Sequence, residues 1–290
     1  MRNSTSTATS QDVSVVVLTK NSAHTIKACL DSVFLERPKE VIAVDGRSTD
    51  GTLSILESYE IRVLVDTIRS FGHSRQVGVE AATAEYVMFV DSDVILVTGC
   101  IQTMLRELNK YGWVGIHARV LSAENVNYWQ RSEDESFLSY YGVVRPIRQI
   151  STTAALFRKD VLLRYPFDPS FAEAAEDVDL CHRLIEAHYT LGVSSAVVYH
   201  LHRREFSAFL KQRYRNGQGI ARVGMKYRKG RIFVDPLLAA ISYVIREAPE
   251  GKVRLIPYRL VDGAATFMGV LVGYSRVCSS MRRELSKRSS

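Results

Sequence analysis

Four short apolar runs, Val13–Thr19, Val41–Val44, Ile61–Val65 and Tyr86–Val90, recur along the N-terminal third of this chain, with amphipathic stretches between them. Val13–Thr19 is a continuous run that suits a strand buried on both faces, Tyr86–Val90 reads as a buried strand, and Val41–Val44 and Ile61–Val65 read as the second and third strands. Ile26, Cys29, Leu30, Val33 and Phe34 repeat at helical spacing after the first run, with Asn21 and Ser22 placed to cap that helix and Pro38 closing the connection. A short helix is expected around Leu53, Ile55 and Leu56, and another over about residues 72–82. Strands alternating with helices in this way form a mostly parallel sheet with helices on both faces. Ligands in such sheets bind beyond the carboxyl ends of the strands. Thr19 to Asn21, Asp45, and Asp91 with Asp93 all fall at those ends.

The last of these positions carries the strongest chemistry. In an extended backbone, Asp91 and Asp93 point to the same side of the strand. Two such carboxylates repel and resist desolvation unless a cation joins them. Mg2+ and Mn2+ take carboxylate oxygens and leave positions open for phosphates, so a metal–diphosphate site is implied. For the tripeptide alone a pair of solvated loop aspartates is the commoner outcome, and it is the strand before it and the elements around it that favour the metal site.

Downstream, Ile101, Met104, Leu105 and Leu108 mark an amphipathic helix, and a strand is expected near Trp113–Ala118. The polar, aromatic stretch from Ser122 to Arg148 reads as a long loop or flap. Ser151–Phe157 reads as a strand, Glu176–His188 as a helix, and Thr190–Val198 as a strand ending at His200 and His202. Internal repeats are absent. Residues 1–11 are Ser/Thr-rich and lack the apolar centre of a signal peptide, which suggests a disordered tail. The four cysteines are scattered singly, without metal-ligand spacing, and fit reduced thiols in the cytoplasm.

Charge divides the chain. Residues 201–290 hold 19 Lys/Arg against 6 Asp/Glu, a net +13, while residues 1–200 are mildly acidic. A basic third of this kind suits a polyanionic partner. Within it, Phe206, Phe209, Leu210 and Tyr214 form one face of a helix with Arg213 in its middle, where a charge either snorkels to solvent or meets an anion. Two apolar patches follow, Ile232–Ile245 and Leu255–Tyr274, and charges interrupt both too often for a bilayer span. The second has basic flanks, which suits peripheral attachment to an anionic membrane. A helical hairpin packed on the preceding domain, or a homodimer contact, would use the same residues.

Five segments stand in order along the chain: Val13 to Asn21, Val44 to Thr52 (VDGRSTDGT), Ser74 to Gly78 (SRQVG), Asp91-Ser92-Asp93, and Ala175 to Asp179 (AEDVD). Together, and in that order, they resemble the family 2 glycosyltransferases, inverting enzymes of the GT-A (Rossmann-like) fold, over Val13 to about Gly219. The resemblance implies a nucleotide-diphosphate sugar donor and Mn2+ or Mg2+. It implies that Thr19, Asn21, Asp45, Arg75, Asp91 and Ser92 bind the donor, with Asp45 by the base or ribose and Arg75 by the diphosphate. Many relatives carry a second acid after Asp45, where this chain has Gly46. Asp93 would hold the metal, helped by Asp91 and, in some relatives, a histidine placed like His200; His202 is the lesser alternative, and a structural histidine fits there too. Arg213 would lie near the diphosphate and acceptor, or at a solvated end. Asp177, with Glu176 as its competitor, would be the general base, although acids also simply favour a helix N-terminus. The acceptor would be a glycan or a polyprenyl-linked molecule, at the cytoplasmic face of the membrane. The domains implied are residues 12–204 for catalysis, 205–278 for a helical extension and 279–290 for a basic tail.

Two rival readings use the same residues. A nucleotidyltransferase would share the α/β carboxylate–metal chemistry, but Thr19-Lys20-Asn21-Ser22-Ala23 lacks the Gly-rich loop expected after its first strand. A non-catalytic anion-binding protein would use the basic third to hold membrane or nucleic acid. Nucleic acid is the weaker partner, because the aromatic residues among those cations fall at helical spacing and read as core.

Overall fold

The structure is a computed structural model that describes residues 8–68, 70–123, 127–172, 174–201, 205–247 and 253–288, without the side chains of residues 232, 247 and 280–288. The chain forms two compact units. The first is built on a nine-stranded sheet and comprises residues 1–125, 134–170 and 177–202. The second holds residues 126–133, 171–176 and 203–290. The helical part therefore recruits two short segments that lie far upstream of residue 205.

In the first unit the four expected strands form as β1 (Val13–Thr19), β2 (Glu40–Asp45), β3 (Arg62–Val65) and β4 (Tyr86–Asp91). They pair in parallel in the order β3-β2-β1-β4. Both faces of β1, β2 and β4 are covered, as their apolar runs require, while the edge strand β3 leaves Arg62 and Val65 exposed. Val13, Val15 and Val17 face one core, with α1 (Ile26–Leu35), α2 (Thr52–Leu56) and the later Ile101, Met104, Leu105 and Leu108. Val16 faces the other core, with Val79 of α3 (Phe71–Ala81). Alternate residues of one strand thus reach opposite cores, and burying each such side chain contributes about 1.5–3 kcal/mol.

After β5 (Val94–Leu96) and α4 (Cys100–Tyr111), the sheet continues with β6 (Gly115–Ser122), β7 (Arg145–Ile147), β8 (Ala154–Arg158) and β9 (Leu191–His200). Here the sheet becomes mixed: β8 runs antiparallel to both β4 and β6, while β6 and β9 are parallel. The expected flap from Ser122 to Arg148 is instead largely ordered, as α5 (Tyr128–Tyr141) and β7. Its signal was the pair Phe137 and Tyr141, one helical turn apart and stacked at 4.3 Å, hidden among polar residues. Helices α6 (Lys159–Arg164) and α7 (Glu176–Glu186) complete the described elements before β9.

The second unit contains α8 (Phe206–Lys226), α9 (Asp235–Glu247) and α10 (Ile256–Arg288). Backbones of α8 and α10 nearly touch: a Cβ on Gly217 would lie 2.0 Å from the Thr266 carbonyl oxygen, and one on Gly269 2.0 Å from that of Tyr214. The basic tail expected from residue 279 continues α10 to Arg288. At the other end, a 3-10 turn over Ser10–Asp12 occupies the end of the expected disordered tail, closed by the Thr9 amide donating to Asp12 at 2.8 Å. Against expectation, Val253–Ser279 is long and apolar enough to cross a membrane by length and composition. Asp262 is the one charge between Arg259 and Arg276, so the interruptions weigh less than their number suggests. Packing against α8 shows that part of this apolar surface already serves the protein interior.

Candidate active site

The register of the parallel half-sheet lines up the strand ends. Thr19 stands beside Asp45, and Leu18 beside Asp91. The loops beyond are stitched into one block by short polar contacts. Both oxygens of the Asp45 carboxylate accept from Ser48, from its amide at 2.8 Å and its hydroxyl at 2.6 Å. Asn21 donates its amide to Ser48 Oγ and accepts from the Thr49 amide, both at 2.8 Å. It therefore does not cap α1, which begins after a turn in which the Ser22 carbonyl accepts from Thr25 and Ile26. Asn21 and Arg47 hold positive φ angles, 51° and 62°, a region that asparagine adopts readily, and Arg47 sits between Asp45 and Ser48, which bond to each other. Thr19 Oγ1 is buried without a hydrogen-bond partner.

At Ser92 and Asp93 the backbone turns to start β5, so the alternation expected of an extended strand fails there. Instead of sharing one side, the two carboxylates take different partners. Asp91 Oδ1 faces Arg75 at 3.5 Å. Asp93 Oδ1 faces His200 Nε2 at 3.1 Å, across the antiparallel pairing of Val94 with His200. Ser92, expected to bind the donor, places its hydroxyl 2.8 Å from that of Ser22 and ties this turn to the first loop. No group of three or more His, Cys, Asp or Glu side chains that could hold a metal occurs among the described residues, and of the expected ligands Asp93 and His200 stand in contact. The Asp93–His200 pair nevertheless fits a divalent ion of Mn2+ type, which accepts carboxylate and imidazole together and leaves positions for diphosphate oxygens. His202 lies outside the described residues.

Arg75 is buried, its guanidinium 5.7 Å from the Phe71 ring centre and 6.0 Å from that of Phe89. Aromatic faces hold a guanidinium flat without neutralising it, which suits a cation meant for phosphate. Helix α3 is pressed onto β1, with Gly78 against Val16 where a Cβ would lie 2.3 Å from Cγ1. Ser70 caps it by accepting from the His73 amide. The same first turn carries a cluster that sequence reasoning missed: buried Asp66, just past β3, accepts from Ile68 N at 2.8 Å, from Ser74 Oγ, and meets His73 Nδ1 at 3.0 Å. The contact joins residues seven apart across a strand–helix connection, so no spacing rule flags it. Missed likewise was His117 of β6, fully buried with neither ring nitrogen hydrogen-bonded and its ring against Phe137 and Tyr141. Burial drives its pKa down to about 3.

The acidic pair opens α7 as expected, and the division between the two units runs between Glu176 and Asp177. Asp177 Oδ1 accepts from the Val178 amide at 2.8 Å. Ala175, just before the pair, has φ of 69°. Arg213 is a correction. It is not at a solvated end but inside the helical unit, with Glu133, with Asp262 at 2.9 Å and with the Tyr258 hydroxyl at 3.3 Å. Its charge is matched there because α8 and α10 pack too closely to leave a cation unpaired.

The description Glycosyl transferase family 2 matches residues 14–165, more than half of the chain. The chain belongs to glycosyl transferase family 2. This family 2 protein is 25% identical over 258 residues to Glycosyltransferase AglE of Haloferax volcanii, across 82% of its own length and 83% of the relative's. It is 38% identical over 92 residues to a Poly(ribitol-phosphate) beta-glucosyltransferase of Bacillus spizizenii; that stretch spans 14% of the longer relative. Among solved structures it is similar to the mannosyltransferase PcManGT from Pyrobaculum calidifontis, with TM-score 0.59, 20% identity and coverage of 94% of this chain and 80% of that one. S. aureus TarS 1-349 superposes with TM-score 0.53 at 19% identity, over 94% and 91%. These likenesses show a GT-A fold for the family 2 chain.

Proposed function

We propose that this chain is an inverting transferase that moves a sugar from a nucleotide-diphosphate donor to an oxygen of a glycan or polyprenyl-linked acceptor. The observation that carries this reading is the pairing of Asp93 with His200 next to the pair of buried Arg75 with half-buried Asp91, with both aspartates at the carboxyl end of β4. Arg75 offsets diphosphate charge, and Asp91 orients it. Asp93 and His200 would hold a divalent cation, which when bound supplies Lewis-acid stabilisation of the leaving diphosphate. Asp177 takes the proton of the acceptor hydroxyl while its oxygen bonds to the anomeric carbon and the bond to the diphosphate breaks on the opposite face. Glu176 is the alternative base. PcManGT is described in complex with GDP-Man and Mn2+, and a glucosyl-3-phosphoglycerate synthase of Mycobacterium tuberculosis with Mn2+ and UDP, which supports use of a divalent cation, Mn2+ or Mg2+, here.

Calorimetric titration with UDP-, GDP-, CDP- and dTDP-sugars, in Mn2+ and then in EDTA, tests the reading. Metal-dependent binding of a donor is expected. Absence of binding to all four sinks it.

The helical unit supports contact with an anionic membrane at the cytoplasmic face. Leu238, Ile241 and Ile245 of α9 are exposed at helical spacing, with Arg231 and Arg246 also exposed nearby. The unpaired cysteines fit a reducing compartment. A stable homodimer in solution that covers this α9 face would replace the membrane reading.

A further inference from the structure

The strand order β3-β2-β1-β4 sets Asp66, Asp45, Thr19 and Asp91 in a row along the sheet end. Neighbouring strands lie about 4.8 Å apart, so the row is roughly 14 Å long. Arg75, Asp91 and Asp93 mark its diphosphate end. The buried, unpartnered hydroxyl of Thr19 lies between that end and β2, which indicates that a polar ligand continues towards Asp45 and Asp66. The Asp66 amide donates to the Asp45 carbonyl at 2.8 Å, fixing these two positions side by side.

Asp66 prepares His73 for that ligand. Burial opposes its charge, but hydrogen bonds from Ser74, the Ile68 amide and His73 outweigh this and keep the pKa low. An ionised carboxylate only accepts hydrogen bonds, so the proton of their contact belongs to His73 Nδ1. In the neutral ring Nε2 then carries a lone pair. The His73 side chain is 29% exposed, within reach of a ligand, while Asp66 is fully enclosed. Capping does not account for the imidazole, because the Ser70 hydroxyl already accepts from the His73 amide. Two residues on, Arg75 faces Asp91, so one helical turn touches both ends of the row.

We propose that His73 reads the nucleobase of the donor, its Nε2 accepting a ring N–H, and that this selects uracil, thymine or guanine over cytosine and adenine. The proposal rests on the donor-binding reading above. Uracil and thymine offer N3–H and guanine N1–H; the matching ring nitrogens of cytosine and adenine are themselves acceptors and would oppose Nε2.

Calorimetry with UDP, dTDP, GDP and CDP in Mn2+ tests it on the wild type, His73→Ala, His73→Gln and Asp66→Asn, each checked for folding by thermal melt. The wild type is expected to favour a ring N–H nucleotide over CDP by about tenfold or more, the scale of one hydrogen bond left unmade. His73→Ala should shrink that preference to about twofold with EDTA sensitivity unchanged, and His73→Gln, whose amide oxygen still accepts, should retain most of it. Asp66→Asn can donate to Nδ1 and hold the opposite tautomer, which moves the preference towards CDP. A wild type that prefers CDP, or a His73→Ala variant with unaltered ratios or an equal loss for all four, overturns this proposal and leaves the donor reading standing. A wild type that binds none of the four overturns both.

Discussion

Asp93 and Asp177 stand at opposite ends of the proposed chemistry, and their replacement should separate binding from transfer. Asp93→Ala is expected to abolish Mn2+-dependent donor binding in calorimetry, because His200 alone is a poor site for a hard cation. Asp177→Asn should leave donor affinity within about twofold and lower turnover by about 10²–10⁴, the usual contribution of a general base. Near-wild-type turnover would move the role to Glu176. His117 makes a different prediction, about stability. Its folded pKa of about 3 lies below its ordinary 6.5, so between these values the unfolded chain binds more protons. Stability is therefore greatest above pH 6.5 and is lost as pH falls towards 3, by an amount on the order of a few kcal/mol. His117→Phe should flatten that acid limb in thermal melts at stepped pH; an unchanged slope would show that other groups dominate it. Asp45, Arg75, Asp91 and Asp93 were legible in the sequence because strand ends and family spacing mark them. Asp66, His73 and His117 were not, since their meaning lies in contacts between elements.

Strands β1, β2 and β4 were legible because burial on both faces demands near-continuous apolar runs, whereas β3, at the sheet edge with Val65 56% exposed, was marked only by its place in the alternation of strands and helices. The direction of later strands was not legible, since β8 could run either way with the same composition. The turn at Ser92 and Asp93 shows the limit of periodicity, because two carboxylates counted as strand neighbours diverge to Arg75 and His200. Helix α8 supplies a prediction at this scale. A Cβ on Gly219 would lie 2.7 Å from both the Ala174 carbonyl oxygen and the Ala175 Cβ. Ala175 already holds a left-handed backbone, so it has little room to yield. Gly219→Ala is therefore expected to displace the start of α7 and lower turnover at least about tenfold, while Mn2+-dependent donor affinity stays nearly constant. Equal loss of both, or a wild-type rate, would show that this contact does not position the acidic pair.

Across the whole molecule, charge and chemistry are partitioned: the mildly acidic unit carries the candidate site, and residues from 201 onward carry a net +13. Near an anionic surface each Lys or Arg contributes about 1 kcal/mol, and at physiological salt the effect fades beyond roughly 8 Å. Charge alone would give binding that vanishes at high salt. The exposed Leu238, Ile241 and Ile245 of α9 add an apolar contribution that salt does not screen. Membrane contact through both should then weaken at 0.5 M NaCl by about tenfold or more without disappearing. Replacing Ile241 and Ile245 together by Asp should remove the salt-resistant remainder in co-sedimentation with phosphatidylglycerol vesicles. The pair lies in the helical unit, away in sequence from every residue assigned to the donor, so nucleotide binding should be preserved. Binding that is wholly lost at high salt in the wild type would reduce the helical unit to an electrostatic tether. A double variant that sediments like the wild type would instead move the apolar contact to the outer residues of α10, Leu260, Met268 and Leu271, which are also exposed.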